Sequence, residues 1–325
     1  MPQLNILRMT QQFASPTATI AMRIPYSYEY QRAFLDRLRK ANPAWVAIDT
    51  LYTTTTGRDI QVIRIEEAEQ TGDPTAHATI LVIAREHGTE PASSWVAHGM
   101  IQRLLADDAQ ALRHNTTWLI VPILDPESVD AAIFAGYVES FGRGYTETTP
   151  EEVYEYAKYC ADYVNAGKTI DIAITLHNVE TNECPNLFCP FIDFSKKAAT
   201  LQLNQPLFAA FQQHAYLVGD YQQPWDVGLM QARLPGWCAL YYGSLDLDYE
   251  VNDRFPGNRL PLAQLQQMGA IMVQEISRYL RSEEGQRWHR MCRETLATRD
   301  AERQEYFTRN DITRRTKQQV LSLGY

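Results

Sequence analysis

The sequence predicts an α/β fold, a three-layer α/β/α domain around a central mixed, mostly parallel sheet. Three observations predict it. Short apolar, β-branched runs recur at 79–85, 117–124 and 170–176, each reading as a strand covered on both faces. Segments with apolar residues at helical spacing, 91–105 and 150–166, lie between them. Late in the chain, Leu245-Asp246-Leu247-Asp248-Tyr249-Glu250-Val251 alternates strictly with period two.

Taken in order, a first helix carries Phe34, Leu35 and Leu38, and a hairpin turning at Thr56-Gly57 precedes the first buried strand. The helix at 91–105 opens on Pro91, where a missing N–H costs no hydrogen bond, and turns Trp95, Val96, Met100, Ile101, Leu104 and Leu105 toward a core. The strand at 117–124, the helix at 150–166, the strand at 170–176 and a helix near 197–214 continue the alternation. The strand 245–251 and an amphipathic helix at about 261–281 complete it. Residues 282–325 then read as one or two charged surface helices.

At 325 residues and 45% hydrophobic content the chain can bury one large core. Its net charge of −9 argues against nucleic-acid binding, which needs a basic surface. That charge is uneven: from Arg281 onward ten Lys/Arg face seven Asp/Glu, a net of +3, so residues 1–280 carry −12. The basic tail is expected to cap the domain or to pack against a second subunit as a homo-oligomer. No apolar run reaches bilayer length and residues 1–22 lack the pattern of a signal peptide, so a cytoplasmic location is expected. Five cysteines without framework spacing point to reduced thiols, with Cys184 and Cys189 as packing residues rather than metal ligands.

The chemistry concentrates at strand ends. His87 and Glu90 fall three residues apart on the loop that leaves strand 79–85, the edge where ligands collect in open α/β sheets. A lone His-x-x-Glu is also the mark of a surface pair or a helix start. His177, however, repeats the context, following the apolar run 170–176. Two imidazoles and a carboxylate are a donor set that Zn²⁺ accepts, with water completing the coordination. The other histidines lack this setting: His98 lies inside a helix, His77 and His114 in polar loops, and His214 and His289 in helical surroundings. A hydrolytic metal site also needs a carboxylate outside the ligand set to move protons. Asp246, Asp248 and Glu250 share one face of the late strand, which reads either as a solvated face or as an acid row suited to a base of raised pKa.

These residues resemble the zinc metallocarboxypeptidases of the carboxypeptidase A type, the funnelins. That family carries His-x-x-Glu after a sheet strand, a distant strand-end His and a catalytic Glu on a later strand, here His87, Glu90, His177 and Glu250. The resemblance covers residues 26–281, beginning near Tyr26-Ser27-Tyr28-Glu29-Tyr30, and implies an N-terminal extension at 1–25, a catalytic domain at 26–281 and a tail at 282–325. It implies one Zn²⁺ per chain, a peptide or small amide substrate, and Glu250 as general base and then acid.

The chain also departs from the family. The Asn-Pro-Asp-Gly turn is replaced by Asp125-Pro126-Glu127-Ser128. The Asp-Leu-Asn-Arg stretch, whose Asn and Arg hold the substrate carboxylate and whose Asp supports a zinc histidine, is absent. Arg143, isolated between Gly142 and Gly144, is the candidate replacement clamp for a carboxylate or oxyanion. Tyr241 is a candidate for the family's phenol, although a packed tyrosine is the default at such a position. Trp237 aligns with a frequent family Trp and brings Asp248 near the side-chain pocket, where it would favour a basic group; Arg233, pointing inward, would favour an acidic one. Two other functions stay open: an N-acyl amino acid deacylase of the aspartoacylase and succinylglutamate desuccinylase type, whose Leu-His-Asn context matches Leu176-His177-Asn178, and a non-catalytic zinc-binding relative.

Overall fold

In a computed structural model of the chain, the residues described are 23–41, 43–67, 77–131, 151–178, 186–188, 197–214, 220–222, 234–252 and 260–301, with the single residues 12, 17 and 21. Helix α1 (Tyr28–Ala41) leads into the hairpin β1 (Val46–Thr53) and β2 (Asp59–Ile65), then β3 (Ala78–Ala84) and α2 (Pro91–Leu105). A short α3 (Gln110–Arg113) precedes β4 (Thr116–Val121), α4 (Pro126–Ala131), α5 (Glu151–Asn165) and β5 (Ile172–Asn178). The chain continues through β6 (Asn186–Phe188), α6 (Lys197–Gln212) and β7 (Asp220–Gln222). It closes with α7 (Leu234–Tyr242), β8 (Leu245–Val251), α8 (Leu262–Leu280) and α9 (Glu283–Thr298).

The eight strands form one mixed sheet in the order β1-β2-β4-β3-β5-β8-β6-β7. The central four, β4-β3-β5-β8, run parallel, while β1–β2, β2–β4 and β6–β8 pair antiparallel. From β3 the chain steps to β4 on one side and then crosses back to β5 on the other. The carboxyl ends of β3 and β5 therefore flank a topological switch point, where diverging connections leave a crevice.

Period-two alternation divides the core. Ile80, Val82, Trp118, Ile172, Ile174, Leu245, Leu247 and Tyr249 turn to one apolar layer with Leu35, Val96, Met100, Phe211 and Ile276. Leu81, Ile83, Leu119, Val121 and Ala173 turn to the other, against Tyr156 and Cys160 of α5 and Cys238 and Tyr242 of α7. Helices α2 and α8 cross closely at two glycines. A Cβ on Gly99 would stand 2.0 Å from the Gln266 carbonyl oxygen, and one on Gly269 would stand 2.0 Å from that of Val96.

Several expectations change. Strand 117–124 ends at Val121, and strand 170–176 starts at Ile172 and runs to Asn178, so His177 lies within its strand. His77 is not in a polar loop: β3 starts beside it, and its Nε2 lies 2.6 Å from Thr117 Oγ1 in the buried interior. The tail is not all surface, because α9 buries Trp288, His289 and Cys292. Trp288 Nε1 donates to the Asp171 carbonyl at 2.9 Å, and His289 Nδ1 lies 2.5 Å from Asp171 Oδ1. The acid row on β8 is not a solvated face either. Asp246 and Asp248 are 1% and 3% exposed, because α7 packs over β5 and β8 there. Cys160, Cys238 and Cys292 are buried free thiols, while Cys184 and Cys189 lie outside the described residues. Among the described residues no helix is long and apolar enough to cross a membrane.

Candidate metal centre

The site begins where β3 runs out. Arg85 takes a left-handed backbone, φ 64°, which a residue other than glycine rarely adopts, and the chain turns sharply there. Its buried guanidinium reaches along the loop it starts: Nε and Nη2 donate to the Gly88 carbonyl at 3.1 and 2.8 Å, and Nη1 donates to the Tyr26 carbonyl at 3.1 Å. The Leu124 and Asp125 amides bond back to the Ala84 and Arg85 carbonyls, pinning the loop from its other side.

Glu90 stands at the N-cap of α2, yet its side chain makes no cap hydrogen bond. Its carboxylate turns inward instead, with Oε1 2.8 Å from His87 Nδ1 and Oε2 3.1 Å from His177 Nδ1. The two imidazole centroids are 5.0 Å apart, and donor atoms of all three buried residues lie within 4.8 Å of one another. Asn178 ties the two strand ends to the helix start. Its Oδ1 accepts from the Ser93 amide at 3.3 Å, and its Nδ2 donates to the Val251 carbonyl at 3.3 Å.

Burial works against charge here, and local partners reverse it. Desolvation pushes the Glu90 carboxyl up, but hydrogen bonds from His177 and His87 outweigh it and bring the pKa down to about 2. Burial likewise disfavours the His177 imidazolium, while Asp248, Glu86 and Glu90 hold its pKa well above the ordinary histidine range. An ionised carboxylate with two imidazole nitrogens aimed at it fits a divalent ion of borderline softness. The donor set is two nitrogens and a carboxylate, as in three-ligand hydrolytic zinc sites.

The other expected residues divide into three groups. Glu250 is half-buried, and its strand register sets it directly opposite His177. Asp248 lies two pairs deeper, opposite Thr175, with Oδ1 3.9 Å from His177 Nε2. Tyr241 packs in the apolar layer with Tyr156 and Cys238. Arg143 and Arg233 fall outside the described residues. Sequence reasoning passed over Arg85, Glu86 and Asn178. Their only signal was adjacency to His87 and His177.

A buried His-Glu-His cluster that could hold a metal ion thus lies at the switch point of a mixed α/β sheet. Residues 31–130 match the zinc carboxypeptidase family, a stretch that includes His87 and Glu90 and stops short of His177 and Glu250. Cytosolic carboxypeptidase 6 of Caenorhabditis elegans is 32% identical over 127 residues, covering 38% of this chain and 28% of that protein. Cytosolic carboxypeptidase 3 of Mus musculus is 26% identical over 216 residues, covering 62% of this chain and 21% of that protein. The chain thus spans less than a third of either relative. Among solved structures, a metallo-carboxypeptidase from Burkholderia cenocepacia superposes with a TM-score of 0.66 at 20% identity, covering 79% of this chain and 70% of that one. Carboxypeptidase A from Helicoverpa armigera does so at 0.57 and 15% identity, covering 85% and 75%. At such identities the likeness is one of fold. The resemblance to the zinc metallocarboxypeptidases therefore holds in sequence and in fold.

Proposed function

We propose that this chain is a zinc-dependent amide hydrolase of carboxypeptidase type, in which His87, Glu90 and His177 hold one Zn²⁺. The observation that carries this reading is the convergence of both Nδ1 atoms on the Glu90 carboxylate. Bound zinc supplies Lewis acidity toward a carbonyl oxygen and a bound water whose pKa falls to roughly 7. Glu250, on the strand paired with that of His177, takes the water proton at its carboxylate and returns it to the departing amine. Arg143 holds the substrate carboxylate or the developing oxyanion, as a planar guanidinium suits both. Asp248, Arg233 and Tyr241 are the further candidates for contact with the released residue.

The substrate is a peptide or a small amide, and the chain works in the cytoplasm, in keeping with the names of its curated relatives. A homo-oligomer would form through the charged tail, residues 282–325. Helix α1 and the hairpin β1–β2 ahead of β3 favour the carboxypeptidase reading over the deacylase one, because those deacylases start nearer their first ligand. The test is Glu250→Gln, assayed on peptides and on N-acyl amino acids alongside the wild type. Zinc content should stay at one per chain while turnover falls by more than about a hundredfold. Full activity of the variant would refute the mechanism, and wild-type activity confined to N-acyl amino acids would move the assignment to the deacylases.

A further inference from the structure

If zinc takes the Nδ1 lone pairs of His87 and His177, a deduction resting on the reading above, each imidazole must carry its proton on Nε2. A buried N–H needs an acceptor, and metal-bound histidines commonly find theirs in a carboxylate that fixes tautomer and ring orientation. For His177 the structure offers two. Glu86 Oε2 lies 3.3 Å from His177 Nε2, and Asp248 Oδ1 lies 3.9 Å away. Only the first is within hydrogen-bond distance, and the ring is not aligned with it here, so Nε2 is buried without a hydrogen-bond partner among the described residues; the second acts through space.

We infer that Glu86 is the positioning residue of the third ligand, its carboxylate accepting the Nε2 proton of His177 and so presenting Nδ1 to the metal. Nδ1 already faces Glu90 at 3.1 Å, so His177 is held between two carboxylates, one on each nitrogen. Without Glu86 the ring can turn over, offering Nε2 in place of Nδ1 and displacing the donor atom. The acid is carried by the metal loop itself. Arg85 holds that loop's turn closed through the Gly88 carbonyl, Glu86 follows, and His87 is next. Glu86 is 4% exposed, so water does not compete freely for the contact. One short loop thus supplies two ligands and orients the third across the switch point, from β3 to β5.

The experiment measures zinc affinity by competition with a chromogenic chelator for the wild type, Glu86→Gln, Asp248→Asn and His87→Ala, with thermal midpoints of the zinc-free proteins measured in parallel. Glu86→Gln keeps size and one acceptor while removing charge. It should weaken zinc ten- to a hundredfold, leave the zinc-free midpoint near that of the wild type, and disturb more than Asp248→Asn. In the zinc-loaded wild type, nitrogen-15 NMR should show a slowly exchanging His177 Nε2–H that exchanges faster in Glu86→Gln. Unchanged affinity in Glu86→Gln would overturn the inference while the metal reading stands. So would weakening matched by an equal loss of zinc-free stability, or a larger effect from Asp248→Asn. If the wild type binds no zinc, or His87→Ala binds it equally well, the metal reading falls and the inference falls with it.

Discussion

Replacing Arg85 separates the two things this residue does for the metal loop. Its guanidinium supplies the donors that reach the buried Gly88 and Tyr26 carbonyls, and its backbone sits at φ 64°. Arg85→Ala removes the donors and keeps the strained backbone. Leaving a buried carbonyl without a donor costs about 1.5 kcal/mol, so two such carbonyls give a loss of about 3 kcal/mol, with removal of a buried charge offsetting part of it. Arg85→Gly loses the same donors but relieves the left-handed strain, about 1 kcal/mol for a residue with a Cβ. In urea the alanine variant should unfold about 1 M below the wild type at a slope near 3 kcal/mol/M. The glycine variant should fall between the two. Both should bind zinc more weakly, because His87 and Glu90 ride on this loop. If alanine unfolds within about 0.5 kcal/mol of the wild type, the residue does not lock the turn. If glycine is no better than alanine, the backbone stores no strain.

Two further outcomes follow from the interior. Gly269→Ala places a methyl 2.0 Å from the Val96 carbonyl, so α2 and α8 must part; urea unfolding should show a loss of roughly 2 kcal/mol or more, and an unchanged midpoint would contradict the close crossing. Burial, aided by Arg37, lowers the His98 pKa to about 4 from 6.5, so the folded chain stays neutral while the unfolded chain takes up a proton. Stability then falls as pH drops from about 6.5 to 4, by up to about 3 kcal/mol from this group. Measured against His98→Gln, the wild type should lose ground steadily over that window; a constant gap would show that His98 titrates normally.

Much of the fold was legible because both periods were clean. Strand 245–251 and helix 91–105 appear with the expected bounds, one from strict alternation and one from Pro91 followed by an apolar stripe. The elements that escaped were short or apolar throughout. The strands β6 and β7 have three residues each, too few to carry a period. Helix α7, Leu-Pro-Gly-Trp-Cys-Ala-Leu-Tyr-Tyr, is apolar on nearly every side, so no stripe marks it.

Residue types and spacing alone put His87 and Glu90 on the loop that leaves one strand, His177 among the last residues of a second strand's run and Glu250 on a later strand, because strand runs and ligand spacings are local properties of a chain. Only the tertiary structure decided what surrounds them. Alternation in Asp246, Asp248 and Glu250 is the same for a wet face and a buried one, and it is the cover of α7 that buries Asp246 and Asp248. Spacing likewise could not bring Glu90 between two imidazoles, nor Glu86 to the far nitrogen of His177. Those contacts exist because the chain reverses direction at the switch point, setting the end of β3 beside the end of β5 across a long stretch of sequence.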